Sequence, residues 1–176
     1  AHLSDPHMAG TERINWHDLR GKRILGYLRW KLYRKTEHRQ SLLTRLRADL
    51  ARMKPDHIVV TGDLTQSSLP VEFDKARRWL VDLGAPDRIT VVPGNHDAYV
   101  RTDWHQTFAR WTDYMVSDPI HRQTGPVRGL DNLFPTLRIR GRIALIGLSS
   151  AHPSAPHLAV GGIGVRQLER LAALLK

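Results

Sequence analysis

"RITVVPGNHD" occupies residues 88–97, and how it is read decides the fold. A β-branched run, Ile89 to Val92, stops at Pro93-Gly94, and Asn95, His96 and Asp97 then stand in a row. Gly, Asn and Asp tolerate tight backbone geometry, so a surface turn accounts for the stretch. A ligand-bearing loop at the carboxyl end of a buried strand accounts for it equally, because α/β sheets carry their sites there. These ten residues leave both readings open. Their neighbours separate them.

Working outward, "HIVVTGD" (57–63) is a second short β-branched run that ends at a glycine. Between the two runs Phe73, Ala76, Leu80 and Leu83 recur at helical spacing up to Gly84. Upstream, Leu42, Leu43, Leu46, Leu50 and Met53 do the same. Strand, helix, strand predicts a parallel unit with a crossover helix. Strands buried on both faces read as continuous apolar runs, as "IVV" and "ITVV" do. Downstream, the Trp- and Tyr-bearing stretch 102–116 is read as helical. "TLRIRGRIALIGLSS" (136–150) is read as two strands joined by a tight Gly-containing turn, the second more apolar than the first. "GVRQLERLAALLK" (164–176) is read as an amphipathic helix with Val165, Leu168, Leu171 and Leu175 on one stripe. No repeat or low-complexity linker interrupts the chain. One α/β domain over 1–176 is expected.

Composition narrows the function classes. At 176 residues, with 41% hydrophobic and 25% charged residues, the chain has ordinary globular usage. It holds no apolar run of about eighteen residues, so no transmembrane segment is indicated. It has no cysteine, which excludes disulfides, thiolate metal sites and a cysteine nucleophile. No charged stretch followed by an apolar one opens the sequence at Ala1, so no signal peptide is visible and the cytoplasm is the expected compartment. The net charge is +10, and residues 20–47 supply most of it, with ten basic residues against Glu37 alone.

Three motifs share one position in this plan. "SDPH" supplies Asp5 and His7, "TGD" supplies Asp63, and "GNHD" closes the third run. Each stands where a strand hands over to a loop, on the side where parallel strands deliver side chains to a common crevice. Carboxylate oxygen, amide oxygen and imidazole nitrogen make a mixed site suited to Mn, Fe or Zn rather than to copper(I). One carboxylate has two oxygens and can bridge two ions. A pair of ions can hold a hydroxide and stabilise both entering and leaving oxygens at phosphorus.

The order D-x-H, GD, GNHD resembles that of the calcineurin-like metallophosphoesterases, and "LSDPH", "VVTGDLT" and "VVPGNHD" are similar to their bacterial members. The resemblance implies a four-layer arrangement, a sandwich of two mixed sheets flanked by helices, with two divalent metal ions at the strand ends. Mn is the first expectation, with Fe or Zn as alternatives. By position, Asp5 and His7 would bind the first ion, Asp63 would bridge, and Asn95 would bind the second. His96 would contact the substrate phosphate and protonate or stabilise the leaving oxygen, with Asp97 orienting its ring. The implied reaction is hydrolysis of an anionic phosphomonoester or phosphodiester by a bridging hydroxide.

The family also has a further His and a late Gly-His-x-His motif, and neither appears here. The later histidines, His105, His121, His152 and His157, stand in other contexts. The chain is therefore expected to be a truncated part of the domain, incomplete at both ends and inactive as it stands. The alternative is a non-catalytic binding or scaffold protein on the same fold. His96 argues against that, since a scaffold has no use for a leaving-group acid.

The basic segment 20–47 contains "LRGKRILGYLRWKLYRK" (19–35), in which Ile24, Leu25, Leu28 and Leu32 share a helical face and Tyr27, Trp30 and Tyr33 interleave with cations. Three readings fit: a solvated basic helix, a nucleic-acid surface with aromatic stacking, or an interfacial helix on an anionic membrane surface. Unpaired charge at this density is expected at the rim of the crevice or outside it, not in the core. His17, His38 and His57 are read as structural or solvated.

Overall fold

The computed structural model describes residues 1–8, 23–24, 40–122, 125–155, 158 and 160–176. Three short strands, β1 (His2–Leu3), β2 (Ile58–Thr61) and β3 (Ile89–Val92), form a parallel sheet in chain order. His2 pairs with Val59, and Ile58 through Thr61 pair with Ile89 through Val92. The crossovers are α1 (Gln40–Met53) before β2 and α2 (Pro70–Leu83) after it, where the 3.6-residue periods placed them. At the start of α2, Pro70 supplies a preset φ and the Glu72 carboxylate accepts the Leu69 N–H at 3.0 Å. The core lies between this sheet and α2. Val60, Ile89 and Val91 are fully buried from the strands, and Phe73, Ala76 and Leu80 from the helix. Trp111 stacks on Phe73 with ring centroids 4.5 Å apart and donates its indole N–H to the Phe73 carbonyl.

Stretch 102–116 departs from the single helix expected of it. Turns over 104–107 lead into a 3₁₀ helix (Phe108–Trp111) and then the one-turn α3 (Thr112–Met115). Asp103 and Thr107 explain the break: the Asp103 side chain accepts the Gln106 N–H, and the Thr107 hydroxyl donates to the Asp103 carbonyl. Such local side-chain bonds compete with helical ones.

After the short α4 (Leu130–Leu133), β4 (Thr136–Arg140) and β5 (Ile143–Gly147) form the expected antiparallel pair, with Gly141 at φ 60° in the turn. Gly147 of β5 approaches Val92 of β3. Parallel and antiparallel sheets flanked by helices thus make up the α/β architecture expected. The apolar patterns of the last third do not predict burial. Ile143 in the more apolar β5 is 62% exposed, while Arg138 in β4 is buried. Its guanidinium is satisfied by the carbonyls of Pro86, Ile89, Asp113 and Val116. Helix α5 (Val165–Leu174) turns Gln167, Arg170 and Leu171 toward the protein and leaves Val165, Leu168 and Leu175 exposed.

At the sheet end away from these loops, His57 is structural. Its Nε2 donates to Thr90 Oγ1 at 2.8 Å, and its Nδ1 accepts from Arg140 Nε at 3.1 Å, so the ring is neutral. Burial, then the charges of Arg140 and Arg138, hold its pKa at about 4. Unfolding frees the ring to bind a proton below pH 6.5 that the native state refuses down to about 4. Stability is therefore lost as pH falls across that window, by about 2 kcal/mol for this partly solvated group. Urea midpoints from pH 7 to pH 4 should fall more steeply in the wild type than in His57→Gln. Parallel curves would remove His57 as the cause.

Candidate metal centre

The three parallel strands end on one side, and each feeds a loop that touches the next. Past β1, Asp5 N–H donates to the Gly62 carbonyl, His7 N–H to that of Asp63 and Met8 N–H to that of Leu64. The first loop therefore tracks the second as a continuation of the ladder. Asp5 (φ 54°), His7 (φ 43°) and Asp63 (φ 52°) all lie in the left-handed region. Such backbone costs about 1–3 kcal/mol at each non-glycine residue and collects at functional sites. Here it turns three side chains into one place. Ligand atoms of Asp5, His7 and Asp63 lie within 4.8 Å of one another, and His7 Nε2 is 3.6 Å from Asp5 Oδ1. Asp5 is exposed, His7 buried and Asp63 half-buried. Burial raises the Asp63 pKa and the neighbouring Asp5 adds to it, against the His96 backbone N–H and ring, which lower it. Two carboxylates and an imidazole at this separation are the donor set of a divalent Mn, Fe or Zn ion. The residues fit the group.

The loop after β3 closes on Asp63 through two glycines. A Cβ on Gly62 (φ 84°) would lie 2.9 Å from Gly94 Cα, and one on Gly94 would lie 2.7 Å from Asp63 N and overlap its Oδ1. His96 N–H then donates to Asp63 Oδ1 at 2.9 Å. Asn95 stands half-buried between Gly94 and His96 in this loop. The His96 ring meets His7 edge to face, centroids 5.0 Å apart, and stacks over Tyr99 at 5.9 Å.

Asp97 has a different job from the one expected. His96 Nδ1 donates to the Gln66 backbone carbonyl at 2.8 Å, so Gln66 orients the ring. The Asp97 carboxylate is consumed by Thr65 N–H, Thr65 Oγ1 and Gly94 N–H, at 2.7, 3.0 and 2.9 Å. It is fully buried, which pushes its carboxyl up to about 7 against the pull of those donors. Asp97 ties the β2 and β3 loops together.

The later histidines stand apart from this cluster. His105, His121 and His152 are exposed, and His152 lines a separate cleft of about 330 Å³ with Asp131 and Gln167. His157, His17 and His38 lie outside the described residues, as does most of segment 20–47. Of that segment, Arg47 pairs with Asp82 at 2.7 Å. Arg23 reaches the carbonyls of Ser67 and Ser68, behind His96.

The profile of the calcineurin-like phosphoesterases matches residues 1–165. The chain belongs to that family. No curated protein matches it significantly. The chemistry of the calcineurin-like phosphoesterases is metal-dependent hydrolysis of phosphoester bonds, and the Asp5–His7–Asp63 cluster supplies donors of the kind that could hold a metal ion. Among the described residues of this phosphoesterase domain, no helix is long and apolar enough to cross a membrane.

Sequence reasoning did not find Gln66, Ser68 or Tyr99. Gln66 acts through its backbone carbonyl, which no side-chain pattern reveals. Ser68 is a buried serine at φ 55°, and its only signal is its place in a Ser-Ser turn before a proline-started helix.

Proposed function

We propose that this chain carries a dinuclear phosphoesterase centre that hydrolyses a phosphomonoester or phosphodiester. The convergence of Asp5, His7 and Asp63 at the ends of two neighbouring parallel strands, β1 and β2, is the observation that supports it most. Asp5 and His7 would hold one divalent ion and Asn95 a second, with Asp63 available to both. Ions bound there supply Lewis acidity and lower the pKa of a coordinated water. The chain's own residues do the rest. Gln66 O accepts a hydrogen bond from His96 Nδ1–H, which leaves Nε2 to face the phosphate. The imidazolium form of the ring passes its Nε2 proton to the departing oxygen as the phosphorus–oxygen bond breaks, and the ring is left neutral with its hydrogen on Nδ1. The ring stack with Tyr99 and the Asp97 brace keep His96 in place without entering the reaction. The basic segment 20–47 adds positive potential that draws an anionic phosphoester toward the crevice.

The test is metal addition to chelator-stripped protein. Manganese should switch on hydrolysis of nitrophenyl phosphate or bis(nitrophenyl) phosphate, and the preferred ester sorts monoesterase from diesterase. It should also raise the unfolding free energy, by about 2.7 kcal/mol at a hundred times the dissociation constant. Stabilisation without hydrolysis would leave either the inactive partial centre expected from the missing late histidines or a metal-binding scaffold. Absence of both effects would refute the centre.

A further inference from the structure

We propose that Arg23 is a positioning residue for His96 and acts through Ser68; the inference rests on the role given to His96 above. Arg23 lies in the basic segment, far from the metal-site motifs in sequence, yet its guanidinium donates through Nε to Ser67 O at 3.3 Å and through Nη2 to Ser68 O at 2.6 Å. The turn it grips is an unusual one. Ser68 is fully buried at φ 55°, and the Ser67 and Leu69 N–H groups on either side both donate to the buried Glu72 carboxylate, at 2.9 and 3.0 Å. Glu72 thus holds the turn by its donors, and Arg23 holds it by its acceptors. A guanidinium presents donors in a fixed planar fork that suits two adjacent carbonyls, which an ammonium cannot match.

Everything the turn offers in return goes to the loop that carries His96. The Ser68 hydroxyl lies 2.9 Å from His96 O and 2.8 Å from Asp97 O, sharing its one proton between them, and accepts the Tyr99 N–H at 2.7 Å. Two residues earlier in the same turn, Gln66 O receives His96 Nδ1. Backbone and ring of His96 are therefore both referred to residues 66–68, and Arg23 clamps that turn from behind. When the clamp is lost, the strained Ser68 can relax. The Gln66 carbonyl then drifts, and the His96 ring loses the bond that aims Nε2. Displacements of about 1 Å at a reacting group, caused from a distance, cost up to about 100-fold in rate. The metal donors should keep their places, because Asp5, His7 and Asp63 are set by the ladder between the β1 and β2 loops and not by the 66–68 turn.

Arg23→Gln and Arg23→Lys should be compared with the wild type on two readouts. The first is catalytic: kcat, KM and manganese content on an ester with a good leaving group (nitrophenyl) and on one with a poor leaving group (alkyl). Both variants should lose about 10- to 100-fold in kcat on the alkyl ester and much less on the nitrophenyl ester, with KM and manganese content at wild-type levels. Added guanidinium should restore part of the alkyl-ester rate to Arg23→Gln. The second readout does not depend on activity. In a long-range proton–nitrogen NMR correlation, the His96 Nδ1 proton should be sharp and slow to exchange in the wild type, and should broaden or vanish in Arg23→Gln. An unchanged Nδ1 signal would overturn the proposal even if activity fell. So would equal losses on the two esters, or a rise in KM alone, which would make Arg23 a substrate or structural contact. Wild-type protein inactive on both esters would instead sink the role of His96, while loss of the Nδ1 signal in the variant would still establish the clamp.

Discussion

His96→Ala should lower turnover on esters with poor leaving groups about 100- to 10,000-fold, the range that general acid assistance supplies, and leave manganese content unchanged. His96 meets the metal donors through its edge-to-face ring contact with His7 and its own N–H at Asp63. Asp5, His7 and Asp63 converge within 4.8 Å, whereas the His96 ring is committed at Nδ1 to the Gln66 carbonyl and stacks on Tyr99. Only its backbone N–H reaches Asp63, and alanine keeps that bond. Removing the ring therefore leaves the donor set standing. A nitrophenolate departs without a proton, so the nitrophenyl ester should suffer much less than an alkyl ester. Asn95→Ala should behave in the opposite way, losing metal and activity together. Equal losses on both esters would leave His96 only a phosphate-positioning role, and loss of metal in step with activity would make it a ligand. Metal analysis beside steady-state rates decides among these.

The role of His96 follows from the three motifs together and the family they resemble, and other parts of the chain were legible from their own residues to different degrees. The strands and crossover helices were, because burial on both faces forces continuous apolar runs and packing on one face forces the 3.6-residue period. Val60, Val91, Phe73 and Leu80 obey both rules and are fully buried. Asp5, His7 and Asp63 were legible because a metal demands rare residue types at strand ends, where topology then brings them together. Asp97 was misread for a related reason. A carboxylate beside a histidine suggests a charge partner, but three unpaired donors on the buried inner side of the loops claimed it first. Backbone donors leave no mark in a side-chain pattern. The apolar stripe of α5 was visible, but periodicity reports that a face exists, not which way it turns. Gln167 settles the direction, because its amide makes a two-way bond with the Ser149 backbone and draws the polar side of the helix inward.

Gly94→Ala should cost about 3 kcal/mol of stability and most of the metal affinity, although it adds one methyl group at a residue that is no ligand. The added carbon would sit 2.7 Å from the backbone nitrogen of Asp63 and on top of its Oδ1. A flexible side-chain tip could swing clear of such a contact. The backbone of a residue whose carbonyl is held by the His7 N–H cannot, and Gly62 already fills the adjoining space from the other side. The β3 loop must then withdraw from the β2 loop as a unit. Withdrawal breaks the His96 N–H bond to Asp63 and strains the Asp97 brace between Thr65 and Gly94. It would also shift Asn95, the donor proposed for the second ion, relative to Asp5, His7 and Asp63. The substitution should thus lower the urea midpoint, manganese stoichiometry and activity together, whereas His96→Ala lowers only the last. Gly129→Ala is the control: its φ is 176°, which any residue adopts, and nothing lies within 4 Å of the added carbon. That variant should stay within about 0.5 kcal/mol of the wild type with full metal content. If Gly94→Ala matched it on both measurements, the two loops could not pack backbone to backbone. The approach of Asn95 and His96 to Asp63 would then lose its physical basis.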